Sequence, residues 1–215
     1  ANRIIIYMLS PLTAIWILAS PRRMLAQFSQ SQPPAQAIFF YALSIGIIPP
    51  MCAYIGVTTF GWHFGVGEPV QVAPATALII AIAYYLALLA GFVAATALCR
   101  WMAPTYGAST DLGRHATLIA IVGTPLMAGG LLHLYPLLPL NLLLLIPALI
   151  FSCYLLYTGL PALLQIDVPR GMLMASSMLG VFFAATLALA ALTMIMWTLG
   201  LGPDIGFDWR SSIAG

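Results

Sequence analysis

The sequence predicts an all-α fold: a polytopic transmembrane helical bundle of five spans, with amphipathic N-terminal helices lying along the membrane surface. Composition is the first reason, since 62% of residues are hydrophobic, only 6% are charged and the mean hydropathy is +1.04. In soluble domains about a quarter of residues are charged. The second reason is a series of apolar stretches near the roughly 20 residues needed to cross a bilayer core of about 30 Å. The third is the centre of the chain, where the apolar segments 117–134 and 140–160 are joined only by Tyr135-Pro136-Leu137-Leu138-Pro139. So short a link makes them a tight antiparallel hairpin. The chain then divides into an interfacial segment, 1–34, a five-helix membrane domain, 35–200, and a short tail, 201–215.

From the N-terminus, residues 4–19 read two ways: as a short span interrupted by Pro11, or as the first of two surface helices. The Ser10-Pro11 and Ser20-Pro21 pairs favour surface helices, because Ser suits the N-cap and Pro the first helical position, where its missing N–H costs nothing. In the second helix Met24, Leu25 and Phe28 share one face, while Arg22, Arg23, Gln27 and Gln30 take the other.

The first span, 35–58, carries Pro49-Pro50 in its middle, which predicts a kinked or partly unwound helix whose freed carbonyls are satisfied by neighbours. A glycine-rich loop holding Trp62, His63 and Glu68 leads to the second span, 74–99. There Ala87, Gly91 and Ala95 recur every fourth residue as a small-residue seam for close helix contact, and Arg100-Trp101 marks the interfacial end. A polar loop, 103–115, precedes the hairpin. The fifth span, 172–199, has its own seam in Ser176, Gly180, Ala184 and Ala188, and exceeds the bilayer core in length, so it tilts or protrudes.

All seven basic residues are arginines, scattered rather than clustered, so the net charge of +2 provides no footprint for nucleic acid. With five spans, every arginine but Arg210 falls on one side. Loops enriched in basic residues stay in the cytoplasm, which places the N-terminus inside and the C-terminus outside.

No Asp, Glu, Arg or Lys lies in the middle of a span. An intramembrane charge marks ion and proton pathways, so this pattern weighs against a proton-coupled pump or a voltage sensor. On the outer face, Trp62 and His63 with Tyr135 of the hairpin turn are expected to form a cap over the helix ends. The same face would gather His63, Glu68 and His133, with Asp204 and Asp208 of the tail, as weak candidates for a divalent ion, although their spacing matches no ligand motif. On the inner face Arg22, Arg23, Arg100, Asp111, Arg114, His115, Asp167 and Arg170 form either a docking surface or an ordinary solvated rim. Tyr84, Tyr85, Tyr154 and Tyr157, with Thr124, Ser152 and Thr158, either line a pocket or bond to backbone carbonyls between helices. Cys52, Cys99 and Cys153 read as small core residues. No hydrolase, phosphate-binding or zinc-protease motif is present, so the sequence predicts neither an enzyme nor a cofactor.

Several punctuated stretches in unbroken order carry a resemblance. They are Ile48-Pro49-Pro50-Met51-Cys52-Ala53-Tyr54-Ile55-Gly56, Phe60-Gly61-Trp62-His63-Phe64-Gly65, Thr124-Pro125-Leu126, Leu134-Tyr135-Pro136-Leu137 and Tyr154-Leu155-Leu156-Tyr157-Thr158-Gly159-Leu160-Pro161. From about Ala14 to Trp197 the chain resembles the Yip-domain family, in particular its bacterial YohC-like inner-membrane branch. The resemblance implies five spans, a cytoplasmic N-terminus and a bacterial inner membrane. Eukaryotic members of that family are implicated in vesicle traffic and bind small GTPases of the Rab class, whereas no catalytic residue carries over. The extension 1–12 and the acidic tail after Trp197 depart from the family pattern.

Two functions follow as expectations. The first is a non-enzymatic scaffold, assembly factor or accessory subunit whose partners are membrane lipids and other integral membrane proteins. The second is a carrier or channel for a small neutral solute, with the Pro49-Pro50 helix at its site, since broken helices near the midplane mark transport pathways.

Overall fold

The computed structural model describes residues 12–31, 33–63 and 69–199. Among them run α1 (Leu12–Ala19), α2 (Pro21–Gln30), α3 (Ala35–Gly46), α4 (Ile48–Thr59), α5 (Pro74–Tyr106), α6 (Leu112–Gly129), a 3-10 turn (Gly130–Leu134), α7 (Leu138–Leu164) and α8 (Val168–Thr198). Five segments are long and apolar enough to cross a membrane: Ala35–Thr59, Pro74–Tyr106, Leu112–Leu134, Leu138–Leu164 and Val168–Met196. Arg3, the Ser10-Pro11 cap, Glu68, Asp204, Asp208 and Arg210 lie outside the described residues.

Proline and capping chemistry set the boundaries. Pro49 and Pro50 lack the N–H groups that would continue a helix from α3, so the first span breaks at Ile47 and restarts as α4. Tyr85 reaches over from α5 and donates its hydroxyl to the Leu43 carbonyl at 3.1 Å, next to the break. The second span runs further than its apolar pattern, through Arg100, Trp101 and Pro104, and stops where Gly107 adopts the left-handed conformation (φ 73°) that suits a glycine C-cap. The polar loop is therefore only 107–111. Asp111 then caps α6, its Oδ1 accepting the Arg114 N–H at 2.9 Å.

The two N-terminal helices divide in character. On α2, Met24, Leu25 and Phe28 are buried while Arg22 and Arg23 lie exposed, the amphipathic pattern expected. On α1, Ile17 and Thr13 are buried but the exposed face is Leu12, Ile15, Trp16 and Leu18, so this helix is apolar on both sides. Ser20 occupies the N-cap of α2, yet its side chain makes no capping bond.

α6 is the centre of the bundle, touching α1, α3, α4, α5 and α7, and its pairing with α7 is the hairpin read from the sequence. Leu118 and Ile121 of α6 and Leu155, Leu156, Leu160 and Leu163 of α7 are almost wholly buried. In lipid such contacts hold helices by dispersion rather than by the hydrophobic effect. Closest approach occurs where α4 meets the 3-10 turn. A Cβ on Gly130 would stand 2.5 Å from the Pro49 ring, and one on Gly56 would collide with the His133 carbonyl.

Burial is uneven across the spans. In their most apolar stretches, α5 and α8 bury only 6% of residues, against 44% for the first span and for α6. The two small-residue seams lie largely on this outer surface, and inside the chain they make contact only at Ala95 and through the Ser176 hydroxyl. Ala87 and Gly91 are exposed and only Ala95 packs against the core; Ser176, Gly180, Ala184 and Ala188 are all exposed. The inward face of α8 is offset from the seam and presents Met174, Ala175 and Met178, all fully buried.

Candidate functional site

Arg100, Arg114 and Arg170 lie where the C-terminal ends of α5 and α7 meet the starts of α6 and α8, and Arg22 and Arg23 lie on α2. One of these arginines closes a helix end. Arg114 donates from Nη1 to the Leu163 carbonyl at 2.9 Å, and the Ser109 N–H donates to Leu164 at 3.0 Å, so both satisfy carbonyls that the end of α7 leaves open. Arg170 pairs with Asp167 at 3.5 Å across an exposed turn. Such a pair contributes about 0–1 kcal/mol. Arg22 donates from Nε to the Tyr154 hydroxyl at 3.2 Å, fastening α2 to α7. Arg23 is exposed beside a 320 Å³ hollow shared with Thr13 and Gln27. Arg100 donates from Nε to the Thr110 carbonyl at 3.1 Å.

His115 does not belong to the rim. Its side chain is fully buried, with Nε2 2.8 Å from the Ser109 carbonyl and Nδ1 3.2 Å from the Cys99 sulfur. Nε2–H donates to that carbonyl, and Nδ1 then accepts from the thiol. The imidazole ties α5, α6 and the loop between them, and no feature of the surrounding sequence distinguishes it from a rim histidine.

At the opposite end the loop after α4 folds back over the hairpin turn. Trp62 and Val70 exchange backbone hydrogen bonds of 2.8 and 2.9 Å; the His63 N–H donates to Pro136, and the His63 carbonyl accepts from Leu138. The His63 ring stacks on Tyr135 with centroids 5.7 Å apart, and Phe60 meets Tyr135 edge-on at the same separation. The structure thus brings Trp62, His63 and Tyr135 together. His63 and His133 line one small cavity of 140 Å³. Each places Nδ1 near a backbone carbonyl, of Gly61 at 3.1 Å and of Gly130 at 2.9 Å respectively. Among the described residues no group of three or more His, Cys, Asp or Glu converges as a metal site would require.

Most of the hydroxyls inside the bundle join helices or satisfy carbonyls. The Tyr41 and Thr124 oxygens lie 2.7 Å apart in the core, Tyr157 meets Ser176 at 2.8 Å, and Tyr106 meets Ser177 at 2.8 Å. Thr124 and Thr158 donate to carbonyls one turn back. Ser152 is buried with no partner among the described residues. Tyr41 carried no signal in the sequence, because an aromatic in an apolar span looks the same whether its hydroxyl is bonded or not.

Together these features define a polytopic α-helical membrane protein whose buried polar groups serve mainly to join its helices. The Yip1 domain family model matches residues 15–202, and the chain belongs to that family. It is 36% identical over 160 residues to the inner membrane protein YohC of Escherichia coli strain K12, an alignment covering 74% of this chain and 82% of the relative. The same protein of Escherichia coli O6:H1 (strain CFT073) matches with the same identity and coverage. No solved structure matches.

Proposed function

We propose that this chain is a non-enzymatic scaffold, assembly factor or accessory subunit of a bacterial inner membrane, acting through contacts with other integral membrane proteins and lipids. Its N-terminus is cytoplasmic and its C-terminus external, the orientation that gathers the arginines on the inner side.

One observation carries the reading. α8 bears Ser176, Gly180, Ala184 and Ala188 on an exposed face, and a Cβ at Gly180 would meet no other part of the described chain within 4 Å. Gly91 on α5 is equally open. Helices in lipid gain most from close backbone approach, so two sparsely buried spans with seams open around Gly91 and Gly180 offer contact that the chain itself leaves unused.

The break at Ile47 favours a carrier or channel for a small neutral solute instead. Against that reading, the Pro49 ring is packed onto Gly130 and Tyr85 bonds the Leu43 carbonyl, so the break is filled by protein. Purification of the full chain in nanodiscs, with identification of companions retained by the wild type and by Gly180→Leu, tests the proposal. A companion at fixed stoichiometry, lost on substitution, supports a scaffold. Solute flux into liposomes holding the pure chain supports a carrier.

A further inference from the structure

Between α3, α5 and the start of α6 runs an open groove of about 810 Å³. Its walls include Phe39, Phe92, Val93 and Ala97, and Arg100 and Gln36 stand on its polar rim. Phe39 and Val93 are about half exposed, so the groove opens toward the membrane rather than into the bundle.

We propose that this groove holds one acyl chain of an anionic glycerophospholipid, with the phosphodiester on the guanidinium of Arg100. The dimensions suit the occupant. From Phe92 to Arg100 the wall climbs about 12 Å, at roughly 1.5 Å per residue, close to the roughly 15 Å of hydrocarbon in one leaflet. A chain laid against Phe92 and Val93 therefore ends with its headgroup at the level of Arg100. Trp101, next in sequence and 78% exposed, occupies the interfacial depth that indoles favour.

Charge selects the class of lipid. The only hydrogen bond of Arg100 among the described residues is from Nε to Thr110, which fixes the guanidinium at the mouth and leaves both Nη groups available. The nearest acid in sequence, Asp111, has its Oδ1 on the α6 cap and forms no ion pair with Arg100. A guanidinium presents paired donors that match a phosphate, and the Gln36 amide adds neutral polar groups for headgroup hydroxyls. A zwitterionic lipid would bring an ammonium group toward a guanidinium that forms no ion pair among the described residues.

The inference deepens the lipid contact of the functional reading, and it stands or falls separately from any protein companion. Native mass spectrometry of the full chain, loaded with phosphatidylglycerol or phosphatidylethanolamine of matched acyl chains, tests it. The wild type should retain one phosphatidylglycerol about tenfold more tightly, the scale of a charge-assisted contact. Arg100→Gln should abolish the preference. Ala97→Trp, which fills the groove from an exposed position and leaves the core intact, should reduce retention of both lipids. Equal retention of the two lipids by the wild type would overturn the proposal, as would phosphatidylglycerol held undiminished by Ala97→Trp. A homodimer that disappears in Ala97→Trp would assign the groove to a second copy of the chain and equally overturn it.

Discussion

The hydroxyl of Tyr41 in α3 and that of Thr124 in α6 lie 2.7 Å apart, both side chains buried at the helix contact. Thr124 donates its own proton to the Ala120 carbonyl, so Tyr41 is the donor between them. Tyr41→Phe removes that bond and strands no donor, and should cost about 0.6–1 kcal/mol. Thr124→Val leaves the tyrosine hydroxyl buried and unpaired, and should cost about 1–3 kcal/mol. A double-mutant cycle read by thermal unfolding in detergent should give a coupling of at least about 0.5 kcal/mol. Strict additivity would mean that the two hydroxyls do not interact.

Two glycines should respond in opposite ways to the same substitution. At Gly130 a methyl group meets the Pro49 ring and backbone at 2.5–2.7 Å, whereas at Gly180 it meets nothing within 4 Å. Gly130→Ala should therefore destabilise the chain by about 1–3 kcal/mol, as overpacking does. Gly180→Ala should leave the melting temperature unchanged or slightly higher. Equal effects would mean that the approach of α4 to the 3-10 turn is looser than described.

The cap over the hairpin turn rests on ring contacts as well as backbone bonds. Tyr135 touches both His63 and Phe60, and each aromatic pair contributes about 0.5–1.5 kcal/mol. Tyr135→Ala should lose both contacts and about 1–3 kcal/mol, while Tyr135→Phe keeps the ring and should lose little. Faster proteolysis of the Trp62–Val70 loop in the alanine variant alone would report that the cap has opened. Identical behaviour of the two variants would place the stability of the loop in its backbone bonds.

The proposed orientation is checked by labelling single cysteines in a chain lacking Cys52, Cys99 and Cys153. An impermeant thiol reagent added to intact cells should modify Ser211→Cys and spare Ser31→Cys. Labelling of Ser31→Cys from outside would reverse the topology.

The spans and the central hairpin were legible because apolar length and proline punctuation act locally, and residues 117–160 needed no information from elsewhere in the chain. The end of α5 was not legible. Arg100 and Pro104 look like the start of a loop, yet the helix continues to Gly107, and only that left-handed residue ends it. The seams were visible as spacing, but whether α8 turns Gly180 or Met178 inward depends on packing that no periodicity on one strand of sequence contains. His115 shows the same limit: its burial comes from Cys99 and Ser109 closing around it. The groove at Arg100 has walls from three helices, so its residues have no motif.

The central claim is that the open face of α8 is where a membrane-protein companion docks. It is tested most directly by measuring companion retention and melting temperature together, for the wild type and Gly180→Leu in nanodiscs. A companion held at fixed stoichiometry by the wild type and lost by Gly180→Leu, with the melting temperature of the isolated chain unchanged, is the predicted result, since a Cβ at that position meets no other part of the described chain within 4 Å. A wild-type chain that purifies as a monomer without a companion, or a companion retained undiminished by Gly180→Leu, would contradict it.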